Sequence, residues 1–443
     1  MALLTPPDPE RVGPPQADRR WLAVPVLVIA FVIVAVAKPW GDRRSAEAPA
    51  ASATVAVAGS QAPTSPPSIA PTLDAIVTGR TPAAADPVYT HQIESVPWAN
   101  ELVADSGGAW TWSDTGIVSR IGTDEIVTKT DLGRPRQPPG PLGSRGIAVA
   151  WSHVWASDPV HNGLARIDVG TGSVAARIPL WTTAQEAAVD AAGGSSHDRW
   201  ASASGFAIDG DSIFVPSIAA RPGDVADPAA ADGQLWRVDA TGVRRTGWTS
   251  IDRPTGVAVG FGSVWVVSCC GDQADLRTFT IVRLEEETGA VQVKLTITRP
   301  DPAAAADARP VIRVGPDSVW VALADLPLVV RIDPATNNIR STLLLDLPVT
   351  DLAIGPGGSL WATESEPWYR AGAVVGDRCD GRLTHIDPET ELVVAATTMA
   401  CPMSVAIAGN DVWVGTAGTE GTGTSGGVPP MLVHLQALGP GSK

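Results

Sequence analysis

Residues 314–339 read VGPDSVWVALADLPLVVRIDPATNNI, and the fold follows from how this stretch is built. A β-prone run centred on Trp320 follows a Gly-Pro-Asp turn, and a second run, LVVRI, ends on Arg331 and Ile332. Both are too short and too apolar to be anything but strands with two covered faces. Asp333-Pro334-Ala335-Thr336-Asn337-Asn338 then has the chemistry of a hairpin built on a type I turn, whose left-handed position favours Gly or Asn.

The same unit recurs along the chain. Its aromatic reads GAWTW around Trp112, SHVWA around Trp155, DSIFV around Phe214, GSVWV around Trp265, GSLWA around Trp361 and NDVWV around Trp413. A basic residue follows each: Arg120, Arg166, Arg237, Arg283, Arg331, His385 and His434. Successive aromatics lie 41 to 59 residues apart. A unit of that length cannot bury its own faces and must stack on copies of itself. The expectation is an all-β, seven-bladed β-propeller over residues 88–437. The seventh blade runs out after MLVHLQAL, its third strand, and residues 88–95 (VYTHQIES) are the β-like run left to supply the fourth. Closure by both chain ends removes the open edge. The aromatics are expected to fill the spaces between blades, and the basic residues to pair with a neighbouring turn.

The formal net charge is -15 and only Lys38, Lys129, Lys294 and Lys443 are lysines, so a nucleic-acid partner is not expected. Residues 21–37 (WLAVPVLVIAFVIVAVA) carry no charge and, extended to residue 40, suffice for a tilted span of a hydrocarbon core about 30 Å thick. The run exceeds a signal peptide's apolar core, although Ala35-Val36-Ala37 would make a cleavage site. The expected order is a cytoplasmic tail (1–20), a transmembrane helix (21–40), a disordered Pro/Ala-rich linker serving as a plain spacer (41–87), the propeller (88–437) and a short tail (438–443). Flanking Arg and Lys balance, so orientation rests on the cysteines. Cys379 and Cys401 flank the outer strands of blade six on one face, and Cys269 and Cys270 are adjacent in a corresponding loop. An even count on one face suits an oxidising compartment, outside the cytoplasm.

The composite repeat G-x-x-x-VW-V-A…RIDP-x-T, clearest in residues 314–339, resembles the YVTN and streptogramin-lyase-like superfamily of bacterial propellers. Residues 88–437 carry the resemblance throughout, more loosely in blades one and three. It implies a ligand site at the central mouth, where blade-to-blade and second-to-third-strand loops meet. In lyases of this type a histidine base works beside a divalent metal. The histidines here are His91, His153, His161, His197, His385 and His434, and of these His153 and His161 are read as near the mouth. They form no cluster onto which that catalytic set can be carried. The adjacent cysteines resemble the cofactor-stacking disulfide of quinoprotein propellers, but that family's A-x-D-x-x-T-G-K-x-x-W repeat is absent, so no cofactor is expected.

The mouth candidates are Asp158 and His161 on blade two, Arg221 and Asp224 on blade three, and Asp272 on blade four. Residues 364–370 (ESEPWYR) add Glu364, Glu366, Trp368, Tyr369 and Arg370, and blade-to-blade loops add Arg134, Arg136 and Arg253. Trp, Tyr and Arg are the side chains that anchor interfaces. The sequence therefore reads as a membrane-anchored scaffold binding a protein, a cell-wall component or a small molecule. The alternatives are a metal-assisted lyase or hydrolase and a sensor domain.

Overall fold

The computed structural model describes residues 68–69, 89–93 and 101–436, apart from residues 134–145, 181–204, 219–231, 270–277, 299–309, 366–379, 418–430 and a few isolated positions. The transmembrane segment read at residues 21–40 lies outside the described residues. Among the described residues no helix is long and apolar enough to cross a membrane.

Seven antiparallel four-stranded sheets follow one another along the chain. Two short strands precede them, β1 (Ser68–Ile69) and β2 (Tyr89–Ile93). Blade one is β3–β6 (Glu101–Asp105, Gly108–Trp112, Ile117–Gly122, Val127–Asp131). Blade two is β7–β10 (Ile147–Ala150, His153–Asp158, Gly163–Asp168, Val174–Pro179) and blade three β11–β14 (Ala207–Asp209, Ser212–Ile218, Asp232–Asp239, Arg244–Asp252). Blade four is β15–β18 (Pro254–Gly260, Ser263–Cys269, Thr278–Glu285, Val291–Thr298) and blade five β19–β22 (Val311–Val314, Val319–Leu323, Leu328–Asp333, Asn338–Leu344). Blade six is β23–β26 (Val349–Ile354, Leu360–Ser365, Asp380–Ile386, Val393–Ala400). Blade seven is β27–β29 (Pro402–Ala408, Asp411–Thr416, Leu432–Gln436), closed by β2 pairing antiparallel to β29. The expected closure is what the structure shows. First strands touch the first strands of adjacent blades and form the inner wall of the ring.

Burial follows position in the blade. The second strands β4 and β20 are buried at every residue because neighbouring blades cover both their faces. Outer strands such as β10 and β18 alternate, as strands with one wet face do. Each repeat aromatic packs onto the following blade. Trp155 meets Ile213 and Val215 of blade three, and Trp320 meets Leu352 and Leu360 of blade six. At the end of the ring Trp413 meets Leu102 and Ala109 of blade one.

Register corrects one assignment. In blade one the residue opposite Arg120 is Trp110, not Trp112. Both point to the same face, two residues apart on one strand. Trp110 lies under the Arg120 guanidinium, while the Trp112 Nε1 donates to Ser157 O at 3.0 Å.

The basic position is structural. Arg120, Arg166, Arg237, Arg283 and Arg331 stack over Trp110, Trp155, Phe214, Trp265 and Trp320, with 4.8–5.8 Å from guanidinium carbon to ring centroid. Four of them also donate to the outer hairpin of the next blade: Arg120 to Val169 O, Arg166 to Ala240 O, Arg283 to Pro334 O and Arg331 to Pro388 O. The expected turn carboxylate appears at Arg331, which bonds Glu391 at 2.8 Å, at Arg237, 3.8 Å from Asp211, and at His434, 3.0 Å from Asp411; Arg120, Arg166 and Arg283 use carbonyls. His385 and His434 instead lie flat on Trp361 and Trp413 at 4.2 and 3.9 Å.

The segment read as a plain spacer does more than that. Ser68 and Ile69 pair in parallel with Lys294 and Leu295, adding a fifth strand to the outer edge of blade four. A free outer edge offers backbone donors and acceptors to any extended segment within reach.

Candidate functional site at the propeller mouth

The mouth is the face that carries the second-to-third-strand loops and the blade-to-blade crossovers. The residue three beyond the repeat aromatic lies at the mouth end of the second strand, within one residue of its last position. It is Ser113, Ser268, Leu323 and Thr416 in blades one, four, five and seven, each buried. In blades two and six this position holds a carboxylate, Asp158 and Glu364, and both are buried. A buried carboxylate requires donors around it, and each has recruited an arginine.

Asp158 accepts the Nδ1–H of His161 at 2.9 Å and the Nε–H of Arg177, from the outer strand β10, at 3.2 Å. The Arg177 guanidinium extends to Leu132 O of blade one, so the cluster spans the first crossover. His161 is half exposed. With Nδ1 turned to the carboxylate, its Nε2 makes no bond among the described residues. Val160 beside it is 42 % exposed.

Glu364 takes both arms of Arg382, Nε at 3.0 Å and Nη2 at 2.9 Å, with Thr384 Oγ1 and the Leu347 N–H completing its shell. Arg382 also reaches the exposed Asp346 at 2.5 Å. Burial works against the Arg382 charge, but Glu364 and Asp346 outweigh it and hold its pKa above the usual arginine value. This corrects the reading of Glu364 as part of an exposed loop. It is the penultimate residue of β24, and its role is to fix Arg382.

Of the remaining candidates, Arg221, Asp224, Asp272, Glu366, Trp368, Tyr369, Arg370 and Arg253 lie outside the described residues, as do Arg134, Arg136, Cys270 and Cys379. Cys269 ends β16, and Cys401 is buried at the crossover into blade seven. His153 is not at the mouth. It opens β8 just after the turn at Trp151 and Ser152, on the opposite face, where Nδ1 lies 2.7 Å from Trp151 O. Strand direction explains the difference: five residues separate it from Asp158, the whole length of β8. Among the described residues no group of three or more His, Cys, Asp or Glu is placed to hold a metal ion.

Sequence reasoning missed Arg177, Arg382 and the inner-strand pair Arg313–Asp351. Arg313, on β19, donates to Asp351 of β23 at 2.8 Å. Asp351 also accepts the N–H groups of Leu352 and, at 3.0 Å, Val405 of blade seven. Burial raises the pKa of the Asp351 carboxyl, against the pull of Arg313 and these backbone donors.

Streptogramin B lyase shares the fold. The match covers 78% of this chain and 97% of that one, at 13% identity and a TM-score of 0.50. BamB from Moraxella catarrhalis is similar over 79% of this chain and 99% of its own, at 12% identity and a TM-score of 0.45. A chain of the mitotic checkpoint complex matches over 81% and 97% at 10% identity, with a TM-score of 0.48. Likeness at this level is likeness of fold. No protein-family model and no curated protein matches the chain.

Proposed function

We propose that the protein is a recognition scaffold that takes its ligand, a protein, a cell-wall component or a small molecule, at the mouth. The observation that carries this reading is the Asp158–His161–Arg177 cluster. A buried carboxylate fixes a half-exposed imidazole and a guanidinium at the rim, and preorganised polar groups on a rigid ring are what binding needs. Glu364 does the same for Arg382 across the mouth. In this reading residues 21–40 anchor the chain in the membrane, with the propeller outside the cytoplasm. The uncharged run supports the anchor. The compartment is supported by the even count of cysteines read on one face of the propeller, among them Cys401, whose pairing in a disulfide this reading expects. Cys379 is the partner the sequence favours.

The test is a photoreactive residue at Val160, on the mouth, compared with one at Val243, 58 % exposed on the opposite face. Full-length protein is irradiated in cells of its source, and adducts are read by mass spectrometry. Adducts from position 160 alone support the mouth; adducts from position 243 alone, or none, remove it.

One observation favours a second reading, a lyase or hydrolase. An imidazole oriented through Nδ1 by a carboxylate, with Nε2 outward, is the arrangement of a general base. A divalent metal would then stabilise developing charge. Adducts that disappear in His161→Gln while a processed product also stops forming would move the assignment to this reading.

A further inference from the structure

The Arg313 side chain crosses the inside of the ring. It springs from the innermost strand of blade five, and its Nε and Nη2 bond Leu352 O (2.7 Å) and Asp351 Oδ1 (2.8 Å) on the innermost strand of blade six. Its Nη1, bonded to Ile312 O at 3.0 Å, lies 4.0 Å from where a Cβ on Gly205 would stand. Gly205 leads into the innermost strand of blade three. A reach from blade five to blade three that bypasses blade four runs through the central channel.

The level is shallow. First strands start at the mouth, and Asp351 is the third residue of β23, so the guanidinium lies just beneath the rim. The side chain keeps 31 % of its surface exposed although both its carboxylate partner and its strand neighbours Val311 and Ile312 are buried. An arginine has five N–H donors. Three are used here, and two make no bond among the described residues. Gly205, at φ +82°, places no side chain in the space beside them.

We infer that Arg313 is a binding point for an oxyanion, a carboxylate or a phosphate group, that enters the channel from the mouth. The planar fork matches such a group in geometry and charge. Asp351 holds the fork in place from behind, a role that a neutral side chain of the same shape would also fill. The inference rests on the mouth reading and specifies one chemical feature of the ligand.

Inorganic phosphate and 13C-acetate, added in separate titrations to the full-length protein at low ionic strength, serve as probes, read by 31P and 13C line broadening. Broadening by phosphate alone assigns a phosphate group, and broadening by acetate alone a carboxylate. Arg313→Gln abolishes it. Asp351→Asn, which removes the competing charge and retains an acceptor, tightens binding roughly tenfold. Gly205→Val leaves the Arg313–Asp351 pair intact and blocks the space, so it abolishes broadening in a ring whose melting confirms that it is folded. Equal broadening in wild type and Arg313→Gln overturns the inference, as does an Asp351→Asn protein that binds no more tightly than wild type. Adducts from position 160 without any Arg313-dependent broadening defeat this inference and leave the mouth reading standing.

Discussion

Arg331 shows what a single side chain contributes to a blade. Its guanidinium lies over Trp320, bonds Ser318 Oγ through Nε at 2.6 Å, and reaches Asp317, Glu391 and Pro388 O. Ser212 and Ser263 receive Arg237 and Arg283 in the same way. In blade two His153 stands at the equivalent position, and the buried Arg166 Nε has no partner among the described residues. Blades thus differ in how firmly their repeat pair is held. Arg331→Met should destabilise the protein by about 2–3 kcal/mol, and Arg120→Met, which loses one carbonyl bond, by about 1 kcal/mol. Urea midpoints of the two variants check the order; equal shifts would mean that the stacking, not the bonds, carries the energy. The repeat pairs were legible in sequence because aromatic and basic residue recur at a fixed cross-strand register. Arg177, Arg382 and Arg313 were not. Each meets its carboxylate 18 to 38 residues away, on another strand or blade, and nothing local marks the pairing.

At the scale of the element, the outer hairpin combines turn chemistry with charge. Asp168, Asp333 and Asp387 accept backbone N–H groups of their own turns, which hold their carboxyls below the usual range. Four residues later in the turn the left-handed position is Asn337 after Asp333, and it is Gly172 and Gly289 in blades two and four. Glu391 takes that conformation in blade six, at φ +59°, and its carboxylate meets Arg331 and Ser341. The sequence expectation of Gly or Asn held except where a side chain had a contact to make. Blade seven lacks this hairpin because its outer strand comes from the N-terminal side of the ring. His385, which faces blade seven, therefore has no turn carbonyl to reach and stacks on Trp361 instead. Burial holds its pKa below the usual histidine value, with Asp387 opposing. A histidine whose folded pKa is depressed binds protons more readily when unfolded, so stability falls as the pH drops through the imidazole range. The turn carboxylates act next: their stabilisation is complete above the unfolded carboxylate pKa and is lost as the pH falls through the lower folded values. Asp351 and Glu286, raised by burial, oppose that second fall. The melting temperature should therefore decline in two stages on acidification. His385→Gln should flatten the first stage and leave the second; an unchanged first stage would show that other histidines control it.

For the whole molecule, closure decides whether seven blades make one ring. The blade-seven sheet is completed across the chain ends, with Tyr89 opposite Leu435, and His91, Gln92 and Ile93 opposite His434, Val433 and Leu432. Without β2 the third strand β29 would present an unpaired edge, and the ring would be held at that joint only by side-chain packing between blades seven and one. That packing includes Trp413 against Leu102 and Ala109, a cluster that depends on both blades being in place. The blade count was legible from seven aromatic–basic pairs, and the closing strand from the shortfall of one strand at the end. The parallel strand β1 was not legible, because two residues in an Ala/Pro-rich stretch carry no strand periodicity. The two N-terminal strands separate in a truncation series. A chain beginning at residue 84 loses β1 but keeps β2, and it should melt cooperatively with a modest loss in midpoint. A chain beginning at residue 96 loses the closing strand as well; it should melt far lower and associate through the free edge of β29. Adding a peptide of sequence VYTHQIES to that shorter chain should restore the higher transition in proportion to its concentration, as a ligand that binds the folded ring does. If the shorter chain melts like the longer one, blade packing alone holds the ring and the strand exchange is dispensable.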